Sequence, residues 1–497
     1  MLKRLRFLFD DTVPAAGFAL FRMVYALVLL CEVGDLFRFR HLIFDLVPYL
    51  RPYEVSFEPL LLAWLLVIVM LGIGFRTRTM AAANYCFTLI TFSAFSAFEY
   101  HIDYIYTATN ILLIFLPVSN RMSVDAWLMQ RRTGHRPPAM VSRIYRDAVL
   151  FCCIGLVYFD SVLFKMSSPM WRAGLGLWLP ASYPHATWLD LSWLLDNRAL
   201  VLLLGFGTIL FEALFIFVMW SRRWQLPLML VGAALHAGIV LAFPIPWFGL
   251  AVVGMYLLML PDSLINRLFP VGDASAIEHH SDQFSRRAVA VIMVASLLFQ
   301  LPSMINAPYT QMLAVDFGMK NLWEKVARPL RPWTSAGRPF LGTTPHPVFM
   351  DMHFAGYDHE LAIIYEAPNG QEVWLPVIDQ QGRAGAYNSG RLWVNWTFRV
   401  CNPRLETEMV RRGVSRMTAF WAGKNRVSLA DSSFRIVARE YDRPTRWEAG
   451  FGQRQTAKPW TTVGTVKWTQ GRSTLEFQNP DQPPALTDAR SPAHDPG

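Results

Sequence analysis

The stretch ALVLLLGFGTILFEALFIFVMW, residues 199–220, decides the fold class. It holds one ionisable side chain, Glu212, and it is longer than the roughly 20 apolar residues a helix needs to cross a bilayer. Working outward, comparable runs cover residues 14–33, 58–75, 79–98, 104–118, 147–165, 225–243, 246–261 and 288–306. The whole chain agrees. Of its 497 residues 53% are hydrophobic and 17% charged, against about 25% charged in an average soluble domain. This excludes a disordered or collagen-like chain and argues against an ordinary soluble enzyme. Five cysteines exclude a disulfide-dense secreted scaffold. The reading is a polytopic α-helical membrane protein with about nine transmembrane helices. The first run follows Lys3, Arg4 and Arg6 without a small-residue cleavage site, so it is read as a retained span rather than a secretory signal.

Orientation follows from Lys and Arg in the loops. With the N-terminus inside, cytoplasmic segments carry sixteen of these residues and the opposite loops six. An odd number of spans then puts the C-terminal half outside a plasma (inner) membrane. The net charge of +9 is accounted for by this asymmetry, and no nucleic-acid partner is called for.

Residues 1–308 therefore read as the transmembrane domain. Residues 309–347 read as a Pro-rich linker, residues 348–478 as a β-rich domain on the outer face, and residues 479–497 as a disordered tail. Strands are predicted over 348–354, 361–366, 372–378, 391–400, 433–440, 460–468 and 473–478. Asn369-Gly370 gives a hairpin turn, and the stripe Met409, Val410, Val414, Met417 and Phe420 gives a helix over 405–422. No phosphate-binding, dinucleotide-binding, zinc-protease or nucleophile-elbow motif is present, and no metal site is expected.

Ionisable residues inside spans mark function or a paired contact. Here they are Arg22, Glu32, Glu99, His101, Asp103, Asp147, Asp160, Lys165, Glu212 and His236. Asp160 and Lys165 are five residues apart, about 140° around a helix, so they are not read as an ion pair. Tyr158 and Ser161 share the Lys165 face. Lys165 reads either as a lysine reaching for headgroups or as a buried base. His236 reads either as a hydrogen-bonded core residue or as a ligand-binding one. Glu212 is read as structural, paired with Arg22 or Arg222. The topology places Glu32, His101, Asp103, Lys165 and His236 toward the outer face, which predicts a polar cavity opening beneath the C-terminal domain.

Three stretches carry a resemblance. The first is YFDSVLFK (158–165) with MSSPMWRAG (166–174). The second is HIDYIY (101–106), continuing through FLP (115–117) to SVDAW (123–127). The third is LHAG (235–238), with the apolar span that ends at Leu260-Pro261. Together with FALFR (18–22) they resemble the horizontally transferred transmembrane (HTTM) domain family, which includes vitamin K-dependent γ-carboxylases. The resemblance covers roughly residues 14–306. It departs at Asp160-Ser161 and Phe164-Lys165, where the animal enzymes have a small pair and a lysine doublet, and at Leu235, where the family has phenylalanine.

The resemblance implies a quinol-dependent epoxidase or carboxylase acting on peptide glutamates at the outer face. Its cofactor would be vitamin K hydroquinone or another quinol, with no metal. Lys165 would be the catalytic base, joined by His101 and His236, with Asp103, Asp160, Tyr158 and Trp171 binding substrate. The implied partners are membrane lipid or quinone and a peptide or protein substrate. The alternative is a non-enzymatic membrane protein for peptide or toxin maturation, export or immunity. A transporter is disfavoured, since the chain has no inverted repeat.

Overall fold

A backbone in hydrocarbon must satisfy its own polar groups, and an α-helix does so within one segment. All nine apolar runs are helical in the structure, a computed structural model that describes residues 10–94, 96–270, 281–354, 359–401, 407–430 and 432–477. They are α1 (Ala15–Arg38), α2 (Phe57–Ile73), α3 (Thr77–Ser93), α4 (Ile102–Leu113), α5 (Ile144–Lys165), α6 (Arg198–Val218), α7 (Arg222–Ala242), α8 (Pro246–Tyr256) and α9 (Ser281–Asn306). Five of them (α1, α5, α6, α7 and α9) are long and apolar enough to cross a membrane. A sixth such element exists if Pro246–Met259 and Asp262–Leu268, bent by 91° at the intervening Leu260-Pro261, count as one. The helices α2 and α3 have 17 residues each and α4 has 12.

The bundle reverses the polarity of a water-soluble one. Leu203, Phe217, Leu241 and Val291 turn outward, each more than 60% exposed, while Arg22, Asn84, Asn110, Asp147, Asp160 and Lys165 are buried. The interior polar groups hydrogen-bond between helices. Trp64 donates to Asn84 at 2.7 Å, Tyr25 to Asn110 at 2.7 Å, and Asn110 to Thr88 at 2.8 Å.

Contacts at the helix ends fall into two sets, so consecutive helices alternate in direction. At the near end, Thr12–Pro14 pairs antiparallel with Met140–Ser142, and Arg143 reaches Asp147 at 2.8 Å and the Trp220 carbonyl. There Arg22 donates to the carbonyls of Val118 (2.6 Å), Gly72 (3.3 Å) and Met122. Gly74, at φ 73°, is needed for this approach, since a Cβ there would sit 2.7 Å from Arg22 Nη1. Asp125 of the SVDAW stretch accepts from the backbone N–H groups of Arg76 and Thr77, both at 2.8 Å, and so caps the start of α3. At the far end the helices meet the C-terminal region.

That region is an antiparallel sheet of β1 (His359–Glu366), β2 (Glu372–Trp374), β3 (Ser432–Glu440), β4 (Thr461–Thr469) and β5 (Arg472–Phe477), in the order β2-β1-β3-β4-β5. Gly370, at φ 79°, makes the β1–β2 turn. The helix α10 (Glu408–Asn425) packs on the sheet, with Trp468 donating to Thr418 at 3.0 Å. Its Arg416 donates to the Leu46 carbonyl at 3.2 Å and to the Leu42 carbonyl, both beside α1 and α2.

Four expectations are corrected. Residues 391–400 are not a strand. Arg391–Asn395 is helical and runs into a π turn over Trp396–Val400. Leu392, Trp393, Trp396 and Val400 are buried at helical rather than alternating spacing. Within 348–354, Asp351–Phe354 is a helical turn, and the strand begun at Glu372 ends at Trp374, ahead of Pro376. The supposed linker 309–347 is largely helical, with Pro308–Asp316, Lys320–Leu330 and Arg338–Leu341. Pro308, Pro332 and Pro339 start turns, where a missing N–H goes unnoticed. Lys3, Arg4, Arg6 and the tail 479–497 lie outside the described residues.

Candidate functional site

In a helix each Cα–Cβ bond tilts toward the N-terminus. The helices α5 and α6 pack against each other and run in opposite directions, so Lys165 leans back along α5 while Glu212 leans toward it from α6. Their side chains meet, with Lys165 Nζ donating to both Glu212 oxygens at 2.6 Å. This corrects the pairing of Glu212 with Arg22 or Arg222, because counting depth along each helix ignores the lean. Lys165 and Glu212 are 5% and 6% exposed, and Nζ also lies 4.7 Å from the centre of the Trp171 ring. Trp171 is fixed in turn by its Nε1, which donates to the Phe349 carbonyl at 2.9 Å.

A phenol–imidazole chain adjoins this pair. Tyr158 Oη lies 2.5 Å from His236 Nε2 and 2.7 Å from Tyr256 Oη. The His236 ring stacks on Tyr158 at 6.0 Å, and Phe211 and Phe215 stand edge-on to Tyr158. A Cβ on Gly232 would fall 2.3 Å from the Tyr256 hydroxyl, so glycine there lets Tyr256 reach in. His236 Nδ1 is buried and has no hydrogen-bond partner among the described residues.

The remaining expected residues lie in two further clusters. Asp160 faces away from Lys165, as its spacing predicts, and accepts from the His346 backbone N–H at 2.8 Å. His346 Nδ1 is 3.5 Å from the same carboxylate, and the His101 and His346 rings are 5.7 Å apart. Asp103 and Glu32 share one cation. Arg391 Nη2 reaches Glu32 at 2.6 Å and Asp103 at 3.0 Å. The seven expected site residues therefore divide into Lys165, Trp171, Tyr158 and His236; Asp160 and His101; and Asp103. A cavity of about 480 Å³ lies at the far end, lined by Glu32 and not by Lys165, His101 or His236.

Tyr256, His346 and Arg391 escaped the sequence reading. Tyr256 is one of many aromatics in spans. His346 and Arg391 sit in segments read as linker and strand, away from the helices they complete. Among the described residues, no group of three His, Cys, Asp or Glu side chains is placed to hold a metal ion.

The C-terminal domain buries a separate polar centre. Glu360 on β1 is fully buried, 3.6 Å from His185 Nδ1 and 3.7 Å from Arg439 Nη1, and Gly382 leaves room for its carboxylate. Burial pushes the Glu360 carboxyl up to about 8, opposed by Tyr441 and Arg439. Burial, with His359 nearby, pushes His185 down to about 3. The Glu360–His185 pair is thus neutral near pH 7.

The donor set at Lys165 fits a phenolic ligand in kind, with an ammonium, an imidazole nitrogen left unpartnered and walls of Trp and Phe. Compared with known proteins, the chain matches no family model, no curated protein and no solved structure.

Proposed function

We propose that the chain is an integral membrane protein of the plasma (inner) membrane, resembling the HTTM and γ-carboxylase family, with all nine helices crossing, the N-terminus inside and the C-terminal domain outside. Within that frame it is a quinol-dependent enzyme whose working residues are Lys165, Glu212, Tyr158 and His236. The observation that carries this reading is the buried Lys165–Glu212 pair set beside the Tyr158–His236–Tyr256 chain. A bound quinol supplies the reducing equivalents that a reaction with oxygen consumes. Lys165 holds a proton at Nζ that Glu212, at 2.6 Å, is placed to share. That makes the pair, rather than a free lysine, the proton-handling unit. His236 presents Nδ1 to a ligand, and Trp171, Phe211 and Phe215 keep water out. His101, with Asp160 and His346, stands by for a peptide carboxyl arriving from the outer side.

The test is mass spectrometry of lipids extracted from purified wild type, Lys165→Met and the double variant Lys165→Met/Glu212→Leu. Breaking a buried pair from one side costs about 3–5 kcal/mol, whereas replacing both members with apolar groups is often neutral, so the double variant controls for folding. The expected result is a quinone with the wild type and its depletion in the folded double variant. Equal quinone in both sinks the site assignment. A non-enzymatic role in peptide or toxin maturation, export or immunity is favoured by the enclosure of Lys165 by Glu212. Under that reading the double variant keeps full biological function.

A further inference from the structure

The far-end cavity of about 480 Å³ lies between the end of α1, the start of α8 and the outer-domain loop 384–392. Its volume falls in the range of small-ligand sites, about 300–1,000 Å³. Phe39, Trp188 and Trp247 give it aromatic walls. Two of its charges are spoken for, since Glu32 and Arg391 pair with each other. The other two are not. Asp35 accepts from Trp247 Nε1 at 2.7 Å through one oxygen, and its second oxygen makes no hydrogen bond among the described residues. Arg38 lies over the Phe39 ring at 5.1 Å and has no ion-pair partner among the described residues. Asp35 and Arg38 are three residues apart on a helix, which sets their Cβ atoms about 5–6 Å apart on one face. The cavity thus offers one open carboxylate oxygen among aromatic side chains and, a helical turn away at its exposed rim, one open guanidinium.

We propose that this cavity binds a zwitterionic amine–phosphate group, with the ammonium at Asp35 and the phosphate at Arg38. A primary ammonium hydrogen-bonds to the carboxylate and lies against the indole faces. A phosphate takes the guanidinium fork. The ethanolamine bridge of two carbons spans charges set one turn apart. Aromatic side chains at a helix end belong to the headgroup level of a bilayer, so an ethanolamine phospholipid of the outer leaflet is one source, and soluble phosphoethanolamine is the other. The lipid source rests on the outer placement proposed above. The chemistry of the cavity does not.

The experiment has two arms and uses the full chain. In the first, protein reconstituted in vesicles of equal phosphatidylethanolamine and phosphatidylglycerol is extracted, and retained lipids are counted by native mass spectrometry. The wild type is expected to retain phosphatidylethanolamine over phosphatidylglycerol. Asp35→Asn is expected to lower that preference about tenfold, the value of one charge-assisted hydrogen bond. Arg38→Gln lowers retention of both lipids, and Asp35→Glu keeps the preference. Ala386→Trp fills the cavity with both charges in place and also abolishes it, so the result does not hang on the folding of one variant. In the second arm, O-phosphoethanolamine is added in detergent and the thermal midpoint is read. A rise in wild type but not in Asp35→Asn identifies the soluble source, and selectivity confined to vesicles identifies the lipid. A wild type without preference in either arm, or a preference unchanged in both Asp35→Asn and Ala386→Trp, overturns the proposal. A mistaken membrane orientation alone leaves the second arm intact.

Discussion

Glu360 and His185 set opposite limits on the stability of the C-terminal domain. Unfolded, Glu360 has its ordinary value of 4.5, and folded it stands at about 8. Between these values the folded chain keeps a proton that the unfolded chain releases. Stability is therefore full below about pH 4.5 and falls as pH rises toward 8, by up to about 1.4 kcal/mol per pH unit. His185 works the other way. Its ordinary value is 6.5 and its folded value about 3, so stability falls as pH drops below 6.5. The limb from pH 6.5 to 8 isolates Glu360. Glu360→Gln, which cannot ionise, is expected to flatten that limb in thermal unfolding followed by tryptophan fluorescence, and an unchanged slope refutes the assignment. At this scale the sequence was partly legible. Lys165 and His236 stood out because ionisable groups are rare choices inside a span, and Tyr158 because it shares the Lys165 face. Their partner Glu212 was visible but mispaired, since the lean of side chains across antiparallel helices does not show in residue spacing. Glu360 was invisible, because nothing in HELAIIYE says which face of a strand meets a histidine from a distant loop.

At the scale of elements, the segment Arg391–Val400 is the connection that matters most. Its Arg391 is buried between Glu32 of α1 and Asp103 of α4, and it also donates to the Phe98 carbonyl at 3.2 Å. Arg391→Ala leaves two buried carboxylates facing each other and is expected to cost about 3–5 kcal/mol. Arg391→Lys recovers little, because an ammonium cannot reproduce the fork across two carboxylates. The measurement is limited proteolysis of the folded protein, where cleavage in 342–358 should rise sharply for both variants. Cleavage at the wild-type rate would make the clamp dispensable. Periodicity gave the long helices and four of the five strands closely. It failed where tertiary contacts choose the structure, as in Arg391–Val400 and in the proline-rich helices, where Pro308, Pro332 and Pro339 occupy first turns and Pro329 the last turn of its helix.

At the scale of the molecule, the outward leucines and phenylalanines and the inward charges describe a solvent of hydrocarbon around the bundle. The proposed orientation makes a direct prediction. Alkaline phosphatase fused after Phe477 is active, since it folds only outside, and the same enzyme inserted after Gly134 is not. The reverse pattern inverts the topology, and activity at both sites means an even number of crossings between them. The membrane character was readable from the apolar runs. The close union of domain and bundle was not, because it depends on single side chains separated by hundreds of residues.

That union also sets an order of events. Glu32 and Asp103 are synthesised early, and the arginine that neutralises them comes 359 and 288 residues later. Chains grow from the N-terminus, so a nascent bundle must wait with two acidic groups uncompensated until the C-terminal domain has been made and folded. The last part of the protein to be made thus completes the first. A chain interrupted before Arg391 leaves Glu32 and Asp103 without the cation they share.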